Sequence, residues 1–383
     1  MTDRQALRRA IIENPDEDTP RLAFADWLDE HGDERDRYRA RFIRVQCGMA
    51  CTEEQHPAWR KLFAEQAKMQ KAMAWEPDHW PKHLEKRATS FDYERGFVAA
   101  LTVHAKRFLA EAEKFYADDP IQRVKFVKLT ARQGSVPPEE LFGSPHLARL
   151  RALDLTGSGV GDAILGLIAT SPHLAGLRTL VLSENSLSTD GLGRLIDSRS
   201  LPALTHLDLN RSSFPADEGV RAMVTRPGFR RIRSLDLFMT GITLAGVRAV
   251  AESPHAAGLE RLRLGAPDWT VRWDESNDVA ATAMAEAVAN SPHLARLKEL
   301  DLSWRRIGLE GLKAIARSPH LKSLRRLSLR RCAFPAPAAK VVAESPNLKG
   351  LYLLELGVQR DRFTKTQENL VREALPEAAV RFE

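Results

Sequence analysis

Five histidines occupy one position of a recurring Ser-Pro-His motif, and imidazole nitrogens are common metal ligands. Stacked copies of the motif would bring neighbouring imidazoles such as those of His293 and His320 close together, which suggests a metal ladder. No carboxylate or cysteine recurs beside these histidines, and Asn347 fills the position in the last copy. We therefore interpret the imidazoles as groups that bond the turn backbone, and we predict neither a metal nor a cofactor. The five are His146, His173, His255, His293 and His320.

An acidic cluster near the N-terminus suggests a divalent-ion site, because Ca²⁺ and Mg²⁺ prefer carboxylate oxygens. Its members are Asp26, Asp29, Glu30, His31 and Asp33. The cluster lacks the alternating ligand spacing and the central glycine of an EF-hand loop. We interpret it as a solvated helix end.

Cys332 is the candidate nucleophile. It stands at a turn position that small polar residues fill in other copies of the repeat, where a cysteine has a structural explanation. The sequence shows no Gly-rich phosphate loop, no nucleophile elbow and no paired carboxylates. These observations predict a protein that is not an enzyme.

The chain repeats a Leu-x-Leu pair at a nearly constant interval. The first residues of the pairs are Leu153, Leu180, Leu207, Leu235, Leu262, Leu300, Leu327 and Leu354, at steps of 27, 27, 28, 27, 38, 27 and 27. One step is longer by 11, which places an insertion near 267–278. Weaker copies extend the series at Leu101/Val103, Val127/Leu129 and Val380/Phe382.

Each repeat combines two periodicities. The Leu-x-Leu stretch has period two and predicts a strand, whereas the next stretch has helical spacing and ends at Ser-Pro. A unit this short cannot bury its own apolar face, so we expect stacked units with ten or eleven parallel strands. The leucines should be buried, and Leu180 and Leu207 should lie on adjacent strands. Three residues after the pairs, Ser158, Asn185, Ser212, Thr240 and Cys332 should bond the turning backbone of the next unit.

This pattern resembles the leucine-rich-repeat family, and its period and helix are similar to the ribonuclease-inhibitor-like subclass. The resemblance implies an α/β solenoid over 94–383, with parallel strands on a concave face and helices on a convex face. It also implies a scaffold that binds proteins.

The N-terminal residues follow a different pattern. Apolar spacing and Pro breaks predict helices, and the string Asp18–Asp33 resembles the short bacterial repeat-companion domain over about 1–48. We predict a small all-α N-terminal region, 1–93, in which 49–93 form a helical cap or connector.

Composition excludes several classes of protein. The 383 residues carry 57 Lys and Arg against 51 Asp and Glu, a net charge of +6, and the acids are interspersed. There is no apolar run long enough to span a membrane. Only three cysteines are present, without a Cys-x-x-Cys spacing, which favours a reducing cytoplasm.

The strand face and its loop edge carry the candidate binding residues. An acidic stripe including Asp208 and Asp236 gives way to arginines in the later units, although aspartate also simply suits this strand position. Trp and Arg flank the insertion, which is the composition of a binding hot spot. A neutral loop insertion is the alternative. We predict a protein partner; nucleic-acid binding through the Arg-rich later repeats is the second hypothesis. The partner-binding candidates are Trp273, Trp304, Arg305, Arg306, Arg330, Arg331, Arg263, Phe238, Asp208 and Asp236.

Overall fold

The computed structural model describes residues 2–52, 57–75, 84, 87–127, 129, 136–266, 275–332, 334–357 and 364–382. Of residues 57, 72–75 and 275–277 it describes only the backbone. The chain divides into two compact units, Met1–Asp154 and Leu155–Glu383.

Four helices open the first unit: α1 (Asp3–Glu13), α2 (Thr19–His31), α3 (Glu34–Ala50) and α4 (Pro57–Trp75). Their starts follow from capping chemistry. Thr2 and Gln5 form a capping box on α1, and Asp33 accepts the Asp36 amide at the start of α3. Pro20 lies in the first turn of α2, where a missing N–H costs nothing.

Helices α1 to α3 enclose an apolar cluster, and one charged side chain is buried beside it. Arg21 is almost fully buried and donates to the carbonyl oxygens of Pro15, at 2.8 Å, and Glu17, at 2.6 Å. Its guanidinium also lies over the Phe97 ring, 5.8 Å from the centroid. The arginine of the Asp18–Asp33 string therefore fixes the turn between α1 and α2. The cluster comprises Ile11, Phe24, Ala25, Leu28, Ala40, Ile43, Cys47 and Phe97.

The first unit also contains β1 (Ser90–Glu94), β2 (Phe97–Val103), β3 (Arg123–Phe126) and β4 (Ala152–Asp154), with α5 (Ala105–Asp118) and α6 (Pro138–Phe142) between strands. Strands β2, β3 and β4 are parallel neighbours, whereas β1 is antiparallel to β2. The expectation that 90–93 are helical is wrong. Arg95 and Gly96 both have positive φ and close a hairpin. Turns of this kind more often have the sequence Asn-Gly or Asp-Gly.

The prediction that Val127 and Leu129 form the apolar pair of a repeat is also wrong. The residues that occupy these positions, Val124 and Phe126, lie three residues earlier in the chain. Val124 pairs with Leu101 and Leu153, and Phe126 pairs with Val103. The run around β3 carries apolar residues in two alternating phases, so periodicity alone does not select between them.

The described residues of the second unit form eight parallel strands in chain order: β5 (Thr179–Val181), β6 (His206–Asp208), β7 (Ser234–Asp236), β8 (Arg261–Arg263), β9 (Glu299–Asp301), β10 (Arg326–Leu329), β11 (Leu353–Leu356) and β12 (Ala379–Phe382). Leu180 pairs with Leu207, and Leu354 with Val380, as the repeat register predicts. The leucines of the predicted core are confirmed as buried, Leu207 being 2% exposed.

A helix follows most of these strands. The helices are α7 (Asp162–Thr170), α8 (Thr189–Asp197), α9 (Ala216–Val224), α10 (Leu244–Glu252), α11 (Glu275–Ala289), α12 (Gly308–Ala316), α13 (Ala338–Ala343) and α14 (Lys365–Ala374). The predicted α/β architecture of stacked strand–helix units is confirmed. Within the described ranges, no helix is both long and apolar enough to cross a bilayer.

The serine of the Ser-Pro motif connects successive units. Ser318 Oγ donates to the Ala289 carbonyl, at 2.5 Å, and accepts the His320 amide, at 3.1 Å. Ser253 and Ser345 donate to the carbonyls of Val224 and Ala316 in the same way. The serine hydroxyl therefore makes the bond to the turn backbone that we expected from the imidazole.

The small residues after each pair make a second ladder. Asn185 Nδ2 donates to the Leu155 carbonyl at 2.9 Å, and Ser212 Oγ donates to the Leu182 carbonyl at 2.7 Å. These bonds reach the preceding unit, so the expected direction, toward the next unit, is wrong.

Candidate binding site on the strand face

Three rows of side chains project from the strand face of the second unit, because alternate residues of a strand share a face. The leading position precedes the first leucine of each pair, the central position lies between the leucines, and the trailing position follows the second. In β10 the leading and central positions are Arg326 and Ser328, and the trailing position, Arg330, follows directly after the strand. In β9 the leading and central positions are Glu299 and Asp301.

A hollow of about 390 Å³ opens on this face, and we call it the strand-face hollow. Small residues make its floor: Ser303 and Ser328 are both buried, with their hydroxyl oxygens 2.9 Å apart. Aromatic and charged side chains surround them. The lining residues are Phe238, Arg263, Glu299, Leu300, Asp301, Ser303, Trp304, Arg326, Ser328, Arg330 and Glu355. Long side chains around a short central one leave space for a group from another molecule.

Arg263 fixes one wall of the strand-face hollow. Its guanidinium donates to Asp236 at 2.5 Å and to Asp301 at 3.1 Å, so it joins three neighbouring strands. The same group lies 5.2 Å from the centre of the Phe238 ring, a cation–π distance. Gly265 makes room for that ring, since a Cβ there would lie 2.7 Å from a ring carbon.

The acidic stripe has a backbone role. Asp208, Asp236 and Asp301 each accept the amide of the residue two positions later, at 2.8, 2.9 and 2.8 Å. Aspartate at the central position thereby satisfies an amide where the strand ends. This geometry supports the alternative that aspartate suits the strand position.

Asp236 has an unusual titration. Burial raises the pKa of its carboxyl to about 6, and the neighbouring Asp208 and Asp301 act in the same direction. The Arg263 guanidinium and the Phe238 amide oppose the increase in pKa without cancelling it. A carboxylate with a raised pKa therefore lies beside the hollow.

A second line of side chains follows the carboxyl ends of the strands, and we call it the turn edge: Glu184, Arg211, Met239, Trp304 and Arg331. All five have φ between 57° and 66°, in the left-handed region. Such a backbone is uncommon for residues with a Cβ. The Arg331 guanidinium lies 5.2 Å from the Trp304 ring, and Arg211 lies 3.3 Å from Glu184. The turn therefore stacks side chains of successive repeats against one another.

Neighbouring arginines in one turn have different environments. The Arg305 guanidinium is buried and donates to the carbonyls of Leu264, at 2.9 Å, and Ile242, at 3.1 Å. Burial lowers the pKa of Arg305 to about 10. Arg306 is partly exposed and lies 3.2 Å from Asp278 on α11. Arg305 thus supports the turn from beneath, whereas Arg306 is partly exposed and pairs with Asp278.

Only some of the binding candidates predicted from the sequence lie together in the structure. Phe238, Arg263, Trp304 and Arg330 line the strand-face hollow, with Asp236 behind Arg263. Asp208 lies two strands away from Arg263 and bonds Ser183 at 2.8 Å. Trp273 lies outside the described residues, as does 267–274 of the predicted insertion, whereas 275–278 belong to α11.

Seven lining residues were not among the predicted binding candidates: Glu299, Leu300, Asp301, Ser303, Arg326, Ser328 and Glu355. Their repeat positions carry the signal, because equal positions in successive units become neighbours across the sheet. Ser328 pairs with Asp301 on one side and with Glu355 on the other. A small residue between two long ones at the central position is what would have located the hollow.

The candidate nucleophile and the acidic cluster near the N-terminus have structural explanations. Burial raises the pKa of the Cys332 thiol, and its Sγ donates to the Leu302 carbonyl at 3.4 Å. Among the acidic residues near the N-terminus, Asp26 and Asp29 bind the Arg44 guanidinium at 2.7 and 2.6 Å. Within the described part of the chain, no group of His, Cys, Asp and Glu has metal-binding geometry.

The parallel strands, the helices and the recurring turn define a leucine-rich-repeat solenoid. Residues 293–316 match the family described as "Leucine Rich repeat". No curated relative matches the chain.

Solved structures with similar folds include an internalin of Listeria monocytogenes, at 15% identity and a TM-score of 0.41, covering 68% of this chain and 67% of that one. A protein from Bacteroides fragilis has 15% identity and a TM-score of 0.45, covering 73% and 81%. The Drosophila Toll–Spatzle complex has 14% identity and a TM-score of 0.36. The match covers 68% of this chain and 30% of that one.

Proposed function

We propose that this protein is a non-enzymatic scaffold whose strand-face hollow and adjoining turn edge bind a protein partner. The observation that carries the proposal is the lining of the hollow. Phe238 and Trp304 stand beside Arg263, Arg326 and Arg330 around a buried hydroxyl floor. Aromatic and Arg side chains around a desolvated centre are the composition of protein-binding hot spots.

The acids on the same face favour a protein over a nucleic acid. Glu299, Asp301 and Glu355 line the hollow together with its arginines. These carboxylates would repel the phosphate backbone of a nucleic acid. Binding of a nucleic acid to the arginines would also depend steeply on salt concentration. A protein surface can place charges of both signs against such a lining.

Several finer assignments belong to the same proposal. Trp273, Arg306 and Arg331 extend the binding surface beyond the hollow, on the side of the insertion. Residues 1–48 form a repeat-companion-like domain, and the repeats follow the ribonuclease-inhibitor-like pattern. All three cysteines are free thiols, which supports a reducing cytoplasm.

Site-specific photocrosslinking tests the proposal in the native host. A photoreactive amino acid replaces Arg330 in one full-length variant and Arg194 in another. Arg194 is the matched control, because it is an exposed arginine on α8, 67% accessible. We expect a protein adduct from position 330 that survives nuclease treatment and is absent from position 194.

Two outcomes would overturn the proposal. Equal adducts from both positions would mean that the hollow is not the binding surface. An adduct that nuclease digestion removes would assign the face to nucleic acid.

A further inference from the structure

The strand-face hollow has a cross-shaped arrangement of charge around Ser328. Along the chain, Arg326 and Arg330 lie two residues before and after this serine. Across the sheet, its neighbours at the same position are Asp301 and Glu355. Two arginines therefore flank the centre in one direction and two carboxylates flank it in the other.

The two carboxylates already have cationic partners. Asp301 accepts from Arg263 at 3.1 Å and from the Ser303 amide at 2.8 Å. Glu355, which is 3% exposed, accepts from Arg381 at 3.2 Å. Each carboxylate thus already faces an arginine of the protein, although Asp301 shares Arg263 with Asp236.

The charge of Arg326 has no such partner among the described residues. Among the described residues its guanidinium has neither a hydrogen-bond nor an ion-pair partner, although it lines the hollow. Its neighbour across the sheet, Glu299, lies between Arg326 and Arg261 in the leading row. That row therefore has one positive charge in excess.

The floor of the hollow contributes a buried donor. The hydroxyls of Ser303 and Ser328 are 3% and 4% exposed and share one hydrogen bond. Two hydroxyls hold two hydrogens, and one mutual bond uses only one of them. Within the described part of the chain the second hydrogen has no acceptor, and a buried donor without an acceptor is costly.

We propose that the strand-face hollow binds a single carboxylate side chain, Asp or Glu, that a protein partner inserts between Arg326 and Arg330 onto the serine floor. This proposal rests on the proposed function and names the chemistry of the partner. A carboxylate pairs with Arg326 and accepts the remaining hydroxyl hydrogen. The rings of Phe238 and Trp304 flank the methylene groups of the entering side chain.

The surrounding acids limit the ligand to one negative charge. Asp301 and Glu355 lie on either side of the position that the carboxylate would occupy. A phosphate dianion would bring a second negative charge next to both of them, whereas a carboxylate brings one. The hollow is therefore expected to prefer an acidic peptide to a phosphorylated one.

A random peptide library displayed on phage provides the probe for the full-length chain. We expect retained peptides to share an Asp or Glu at one position. Replacing that residue by Asn or Gln should weaken binding about tenfold, the loss of one charge-assisted contact. Arg326→Gln should cause the same loss for the original peptide, and Arg194→Gln should cause none.

The decisive comparison combines both changes. If Arg326 holds the carboxylate, the neutral peptide should bind Arg326→Gln about as well as it binds the wild type. Ser328→Ala, which keeps the side chain small, should weaken only the acidic peptide. Independent, additive losses from the peptide change and Arg326→Gln would overturn the proposal.

The remaining outcomes separate this inference from the proposed function. Peptides that lose affinity in Trp304→Ala but show no carboxylate preference would overturn the inference and leave the hollow as a protein-binding site. A library with no peptide sensitive to Trp304→Ala would overturn both. Stronger binding of the phosphoserine version of a selected peptide would overturn the single-charge limit.

Discussion

The Arg263 guanidinium donates to the Asp301 carboxylate at 3.1 Å, although 38 residues separate them in the chain. They lie on adjacent strands because the register of β8 and β9 is kept across the longest step of the repeat. The added chain between them does not disturb the pairing of Leu262 with Leu300. The insertion therefore leaves the register of β8 and β9 intact.

A double-mutant cycle on Arg263→Ala and Asp301→Asn should give a coupling free energy of about 0.5–1 kcal/mol. The value is modest because the Arg263 side chain is 46% exposed and solvent screens the pair. Asn retains an acceptor for the Ser303 amide, so the cycle isolates the ion pair. Urea unfolding of the four proteins measures it. The Lys298–Glu260 pair on the surface gives a reference value. A coupling below about 0.2 kcal/mol between Arg263 and Asp301 would contradict a stabilising ion pair.

Leu207→Ala tests the shared core. We expect the free energy of unfolding to fall by about 2–5 kcal/mol, because a buried side chain is lost and a cavity remains. Leu207 pairs with Leu180 and Leu235, so the loss should also reduce hydrogen-exchange protection in both neighbouring units. A decrease below about 1 kcal/mol would show that Leu207 is not part of the core.

Ser318→Ala tests the serine ladder. The substitution removes the donor to the Ala289 carbonyl and the acceptor for the amides of His320 and Leu321. We expect a loss of about 1–3 kcal/mol, since buried backbone groups are left without partners. Ser323→Ala, in the following turn, should change stability by less than about 0.5 kcal/mol. Equal thermal midpoints for both variants would contradict a stabilising role for the Ser318 hydroxyl.

Asp236 should make stability depend on pH. Its folded pKa, about 6, lies above the value near 3.9 expected in the unfolded chain, so the folded state binds the proton more tightly. The free energy of unfolding should therefore fall as pH rises from about 4 to about 6.5, by about 1–3 kcal/mol for this group.

Asp236→Asn is the matched control for that dependence, since it cannot titrate and its amide oxygen can still accept the Phe238 amide. Its stability should lack this fall between pH 4 and 6.5. If the difference in stability between the wild type and Asp236→Asn is constant over that range, Asp236 has no raised pKa.

The sequence was sufficient to predict the repeats of the second unit. A step near 27 residues fixes which leucines become neighbours, and burial of one face makes a one-residue slip costly. The same reasoning failed at β3, where two apolar phases compete, and at β1, whose hairpin turn at Arg95 and Gly96 has no common signature. These failures lie where the leucine spacing is weakest.

The hollow was only partly predictable. Phe238, Arg263, Trp304 and Arg330 were identified by residue type, but the sequence did not distinguish Arg305 from Arg306. Trp304 adopts a left-handed conformation, and the turn that follows places Arg305 beneath the backbone. Such a difference arises from dihedral angles and from carbonyls contributed by other repeats, so composition does not contain it.

The affinity of the crosslinked partner for the purified full-length protein, measured by titration calorimetry, tests the central claim most directly. Trp304→Ala should weaken binding by about 2 kcal/mol or more, roughly thirtyfold, with little change in melting temperature. Arg194→Gln should bind like the wild type. Unchanged affinity in Trp304→Ala, with the fold intact, would contradict the claim that the strand-face hollow binds the partner.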